Sequence, residues 1–334
     1  MARKVKIKDT DYLFISAYVH AKGAKLIGNE QLMRMLEAKS AEDAYKVLEE
    51  NGWPLAGTLD AGHLAQILAE RREEAFSDMA SLAPNPKIVD LFRIRYDYHN
   101  AKVLIKSQAK GIKENELLLG SGRFSPKKLN EIVLEERYQE LPKTFADAYI
   151  DALDTLSRTG DPQISDFILD RAYFEEYLVS ARETGSRFLT DYARLTIDSY
   201  NLKAVVRSAR MKKDGNFLKQ ALAPGGTVPV AEIFDAYISV DMAIALFRKT
   251  ALRKILDLAE EAVKGGRLTE FERLTDSVSA IFLADAKTEG FNEKPLIRYL
   301  FAVEAEISAV RIIMAGQFSG LPAETVRKRL REGL

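Results

Sequence analysis

The sequence contains no cysteine. That removes disulfides and thiolate chemistry, and it fits a reducing compartment. Histidine is scarce: His20, His63 and His99 lie far apart, and none has a second histidine or a glutamate at metal-ligand spacing. A zinc site is therefore not expected. Net charge is missing too, because 49 basic residues balance 49 acidic ones. A nucleic-acid partner, which usually demands a basic domain, has no electrostatic support. No apolar run reaches the ~18 residues that span a bilayer. The best stretch, residues 299–316, carries Glu304, Glu306 and Arg311. The basic N-terminal residues Arg3, Lys4, Lys6 and Lys8 precede a short apolar segment without a convincing cleavage site. Membrane contact is expected only peripherally or through a partner.

Catalytic signatures are equally sparse. There is no Gly-x-x-x-x-Gly-Lys-Ser/Thr loop for phosphates and no Gly-x-Ser-x-Gly elbow. The glycines near Gly120, Gly225 and Gly265 do not follow a plausible strand, as a dinucleotide site requires. Asp147, Asp151 and Asp154 form a carboxylate stripe at helical spacing. Such a stripe can bind metal or move protons, but a solvated helix face is the simpler reading. The aromatics Phe167, Tyr173, Phe174, Tyr177, Phe188 and Tyr192 read as helix core, and Trp53 as a loop anchor. The basic run Arg327, Lys328, Arg329 and Arg331 suits acidic lipid head groups, an acidic partner or a solvated end. No catalytic residue, cofactor or metal is expected.

What is present is helix. Apolar residues recur at three- and four-residue spacing in most segments, which predicts an all-α fold. Ser40 with the acids Glu42 and Asp43 reads as a helix start, and Ser125-Pro126 as another. Breaks are expected at residues 52–62, 84–86, 111–125, 160–162, 224–229 and 316–322. New short helices are expected after Gly28 and at Pro126, Val230 and Pro322. Asp43-Ala44-Tyr45 is echoed by Asp147-Ala148-Tyr149.

One pattern recurs about every hundred residues. Asp97-Tyr98-His99-Asn100-Ala101-Lys102 is matched by Asp198-Ser199-Tyr200-Asn201-Leu202-Lys203, and more loosely by Glu306 to Arg311. An acid opens each, a basic residue follows five positions later, and an apolar triplet comes next. At helical pitch Asp97, Asn100, Leu104 and Ile105 share one face, as do Asp198, Asn201, Leu202, Val205 and Val206. Lys102, Lys203 and Arg311 lie about 140° around the helix from the acid. Two readings stay open for Asp97, Asn100, Asp198, Asn201 and Glu306: partner contacts, or polar groups satisfied within the fold. The basic residues are either partner contacts or a solvated face. Three similar units, residues 1–115, 116–222 and 223–334, are expected.

These residues also carry a resemblance. Asp11-Tyr12-Leu13-Phe14-Ile15-Ser16-Ala17, Leu36-Glu37-Ala38-Lys39, Ala44 to Gly52, Tyr96-Asp97-Tyr98-His99-Asn100, Asp198 to Lys203 and Glu304 to Gly316 resemble the C subunit of the V-type and A-type rotary ATPases. That protein is the relative of the eukaryotic V-ATPase d subunit. The likeness spans essentially the whole chain. Ala309 departs from it by standing where Asn100 and Asn201 stand in the other copies.

The resemblance implies a funnel of three helical domains around a pseudo-threefold axis. It implies a non-catalytic socket that receives the D and F subunits of the central shaft, rests on the membrane proteolipid ring at the cytoplasmic face, and transmits torque between ATP chemistry and ion transport. Ring contacts would fall on loops such as 111–124 and 223–230. The isolated chain is expected to be a monomer, since the threefold arrangement lies within it. A helical-repeat scaffold for a different partner is the competing reading. An enzyme using the aspartate stripe is a more remote one.

Overall fold

A computed structural model describes residues 8–53, 60–112, 117–284 and 292–330. Arg3, Lys4, Lys6, Arg331 and the 113–116 part of the first unit boundary lie outside the described residues. Among the described residues the regular structure is entirely helical.

The helices are α1 Leu13–Gly23, α2 Asn29–Leu36, α3 Ala41–Glu50, α4 Ala61–Leu82, α5 Lys87–Lys110, α6 Pro126–Leu134, α7 Lys143–Thr159 and α8 Pro162–Glu183. They continue as α9 Arg187–Arg210, α10 Gly215–Ala221, α11 Val230–Ala236, α12 Val240–Ala245, α13 Leu256–Val263, α14 Leu268–Ala284, α15 Lys294–Phe318 and α16 Ala323–Arg327.

Local chemistry sets most of these limits. Ser40 Oγ accepts the Asp43 N–H at 3.1 Å and opens α3. Ser125 does the same for α6, with Pro126 in the first helical turn. Asp60 caps α4 through the His63 N–H at 2.8 Å. Gly160 ends α7 in the left-handed region, φ 67°, where only glycine sits without strain. The expected break at Gly316 is a correction: α15 runs on to Phe318. Gly316 is instead a point of close approach, since a Cβ there would fall 2.4 Å from Val326 on α16.

The chain forms two compact units. One combines Met1–Val89 with Ala280–Leu334; the other is Asp90–Ser279. In the first, α15 packs against α1, α2, α3 and α4, and α16 closes on α15 and α2. Its core includes Ile15, Leu32, Met35, Leu48, Leu68, Phe76, Val303, Ile307, Val310 and Ile313. Gln317 Nε2 donates to the carbonyls of Met35, Leu36 and Ala38, satisfying acceptors left over where α2 ends. In the second unit, α8 lies between α7 and α9, while α9 also touches α10, α12 and α13. Its aromatic core includes Tyr98 edge-on to Phe145 at 4.9 Å and Phe174 against Tyr200 at 4.6 Å.

The order of elements repeats. A short helix, a medium helix and two long ones occur as α2–α3–α4–α5 and as α6–α7–α8–α9. A third series runs α11, α13, α14, α15, with α12 inserted.

Candidate functional site

The acids of the repeated pattern sit on the last long helix of each series: Asp97 on α5, Asp198 on α9 and Glu306 on α15. All three are sealed from solvent, at 0%, 1% and 1% exposure. Each grips the backbone where a short helix is about to begin. Asp97 Oδ1 accepts the N–H groups of Arg123 and Phe124 at 2.9 and 3.3 Å, just before α6. Asp198 Oδ1 accepts those of Thr227 and Val228 at 2.8 and 3.2 Å, just before α11. Glu306 Oε1 accepts the Ile27 N–H at 2.8 Å, just before α2. Phe124, Val228 and Ile27 hold the same register, two residues ahead of their helices. The third acid therefore reaches back to the beginning of the chain.

The aspartates approach so closely that the loops need glycine. A Cβ on Gly122 would lie 2.3 Å from Asp97 Oδ1, and one on Gly226 would lie 2.3 Å from Asp198 Oδ1. In the third copy the corresponding residue is Lys25. There the longer glutamate takes one backbone N–H rather than two.

The asparagines act beside the acids. Asn100 donates to the Leu119 carbonyl and accepts the Leu119 N–H, both at 2.8 Å. Asn201 makes the same pair with Ala223, again at 2.8 Å for both bonds. An amide side chain that bonds both groups of one residue imitates a neighbouring strand. It satisfies backbone that has no helical partner. Ala309 needs no such group. The residue in register with Leu119 and Ala223 is Lys22, which lies inside α1 and has helical hydrogen bonding of its own. Buried Ala309 sits on α15, which packs on α1.

The second carboxylate oxygens differ in their neighbours. Arg123 Nε meets Asp97 Oδ2 at 2.6 Å, and its Nη1 meets Glu176 Oε1 at 2.6 Å. Tyr98 donates its hydroxyl to Glu176 Oε2 at 2.9 Å. Glu306 Oε2 is met by Arg71 Nε at 3.3 Å, and the Arg71 guanidinium also covers the Trp53 ring. Thr227 stands where Arg123 does, and among the described residues no ion pair reaches Asp198.

Burial raises the pKa of Asp97 to about 6, although Arg123 and the two backbone N–H groups pull the other way. Burial also raises Asp198 and Glu306. Burial, followed by the neighbouring Glu176 carboxylate, pushes the Tyr98 hydroxyl up.

Two basic members of the pattern, Lys102 and Lys203, lie outside this core and tie helices together. Lys102 pairs with Asp170 at 2.6 Å and, one turn on, Lys106 pairs with Asp166 at 2.7 Å, joining α5 to α8. Lys203 pairs with Asp276 at 2.7 Å and Arg207 with Glu272 at 2.6 Å, joining α9 to α14. Arg311 is exposed on α15. The stripe Asp147, Asp151 and Asp154 faces solvent along α7, with Asp147 paired to Lys143 and Asp154 to Arg158.

These groups bind chain to chain. All three carboxylates are enclosed and accept backbone N–H groups, while Asp198 Oδ2 is buried without a hydrogen-bond partner.

The sequence matches the ATP synthase (C/AC39) subunit family over residues 15–329. The chain belongs to that family. This C/AC39 protein is 22% identical to the C subunit of the V-type sodium ATPase of Enterococcus hirae, over 96% of this chain and 98% of the relative. It is 23% identical to the C subunit of the A-type ATP synthase of Haloferax volcanii, covering 95% and 96% respectively. It is 25% identical to the corresponding protein of Methanothermobacter thermautotrophicus, covering 96% and 87%. It is thus a C subunit of a V/A-type ATPase and not itself an enzyme. Among the described residues no helix of this C/AC39 protein is long and apolar enough to cross a membrane.

Sequence reasoning places the acids and asparagines on one helix face but misses their partners. Arg123, Glu176 and Arg71 carry no local signature. Gly122 and Gly226 are the available signal, since each precedes a short helix at the same offset.

Proposed function

We propose that this protein is the socket of the central stalk. It holds the end of the shaft formed by the D and F subunits, rests peripherally on the proteolipid rotor ring at the cytoplasmic face of the membrane, and passes torque between them. The units 1–115, 116–222 and 223–334 act as three related domains of a funnel, and the isolated chain is a monomer.

The observation that carries this reading is the recurrence of the carboxylate grip, with Glu306 returning to Ile27 at 2.8 Å. A series whose last member engages its first suits a part that surrounds an axle. The interhelical ion pairs and buried polar grips also suit a body that must resist twisting, because bonds between helices restrain their sliding past one another.

The test is gel filtration of the purified protein with a reconstituted D–F complex. Co-elution at one-to-one stoichiometry is expected. Separate elution, with D–F shown to be folded, would remove the socket reading.

A further inference from the structure

We infer a binding site for a phosphate group in an arginine-lined hollow of the second unit, where α8 gives way to α9. The hollow has a volume of about 350 Å³ and is lined by Arg182, Ser186, Arg187, Thr190, Asp191 and Arg194, with Gly185 at its edge. Three guanidinium groups thus meet one carboxylate, a local excess of positive charge in a chain whose acids and bases balance overall.

The pairing of these groups separates the hollow from an ordinary salt-bridged surface. On the helix faces of the repeated pattern Lys102, Lys106, Lys203 and Arg207 each hold a carboxylate within 2.7 Å. In the hollow Arg187 has a carboxylate, Asp191, at a loose 3.7 Å. Among the described residues Arg182 has no ion pair. Arg194 acts on the buried Asp198 through its charge, with no hydrogen bond between them.

The shape of the hollow is fixed locally. Gly185 turns the chain at φ 78° with open space where a Cβ would stand. The hydroxyls of Ser186 and Thr190 are bound to the backbone, the first accepting the Leu189 N–H and the second donating to the Ser186 carbonyl. The guanidinium groups of Arg182 and Arg194 hold no carboxylate at ion-pair distance among the described residues, and guanidinium N–H groups match a tetrahedral oxyanion through paired, charge-assisted hydrogen bonds. The volume admits a phosphate with its ester substituent. That chemistry is shared by free inorganic phosphate and by a phosphomonoester lipid head group.

The experiment has two arms on the full-length protein. In the first, inorganic phosphate is titrated by calorimetry. In the second, the protein is sedimented with vesicles of phosphatidylcholine, with and without phosphatidic acid. Arg182→Ala and Arg194→Lys are compared with Arg158→Ala, a solvent-facing control on α7. Saturable phosphate binding, weakened at least tenfold by Arg182→Ala and untouched by Arg158→Ala, supports the site with free phosphate as its ligand. Sedimentation that needs both phosphatidic acid and Arg182, without binding of free phosphate, supports it with the lipid head group. Binding of neither, or binding unchanged in both Arg182→Ala and Arg194→Lys, overturns it. Arg182 is exposed and, among the described residues, outside any ion pair. Its substitution therefore leaves the fold intact, and a loss reads on the site.

Discussion

Glu306, midway along α15, accepts the backbone N–H of Ile27, 279 positions earlier, at 2.8 Å. This bond and the Arg71 ion pair beside it fasten the two distant chain segments of one compact unit. Arg72 with Glu304 at 3.0 Å adds a second buried tie between α4 and α15. Removing one partner of such a pair leaves an uncompensated charge, which costs far more than the pair contributes over an apolar replacement.

Glu306→Ala should therefore lose about 3–5 kcal/mol, the range for breaking a buried ion pair. Glu306→Gln keeps an acceptor for Ile27 and should lose less. Urea unfolding gives the totals, and amide exchange gives the location. Faster exchange in α2, with α6 and α11 unchanged, is expected. Uniform acceleration of all three would mean that Glu306 is no local fastening.

The two glycines beneath the aspartates make a sharper steric test. Gly122→Ala and Gly226→Ala each force a methyl against a carboxylate oxygen, so each should cost about 1–3 kcal/mol. Gly120→Ala is the control, since nothing lies within 4 Å of its Cβ position. Denaturant midpoints should separate the first two variants from the third. Equal midpoints for all three would show that the loops shift freely and are not gripped.

Much of the fold was open to reading because its signals are local. Helical periodicity, Ser40, Ser125-Pro126 and Gly160 act within a turn or two of where they stand, and the structure uses each as a helix limit. The exception is instructive. Gly316 looks like a helix end but is a contact residue, because its missing side chain serves Val326 on another helix. The buried grips show the same limit. Asp97 and Asn100 advertise themselves by repetition, but a backbone N–H has no sequence signature. Their partners at Arg123, Phe124 and Leu119 emerge only when the chain has folded back 19 to 27 positions.

Acid should stabilise this protein over part of its range. Asp97 has a folded pKa of about 6, above the ~3.9 of an unfolded aspartate. The folded state therefore binds the proton more tightly. The stabilisation it contributes is complete below about pH 4 and is lost as pH rises through about 6. Asp170, Asp198 and Glu306 are shifted in the same direction by burial. The thermal midpoint should rise as pH falls from 7 to 5, and Asp97→Asn should flatten that rise. A carboxyl resonance of Asp97 titrating near 4 in the folded protein would contradict the assignment.

The asparagine and alanine positions test whether the third copy differs for the reason given. Asn100→Ala and Asn201→Ala each strand a backbone N–H and a carbonyl, and each should cost about 2–4 kcal/mol, summing two unsatisfied groups. Ala309→Asn should not stabilise in return. It places an amide against α1, whose backbone groups are already bonded within the helix, and both the bulk and the unmet hydrogen bonds oppose folding. Denaturation of the three variants should show loss in each. A gain for Ala309→Asn would mean that a free backbone acceptor lies within its reach, and that helical hydrogen bonding in α1 is not why this position dispenses with asparagine.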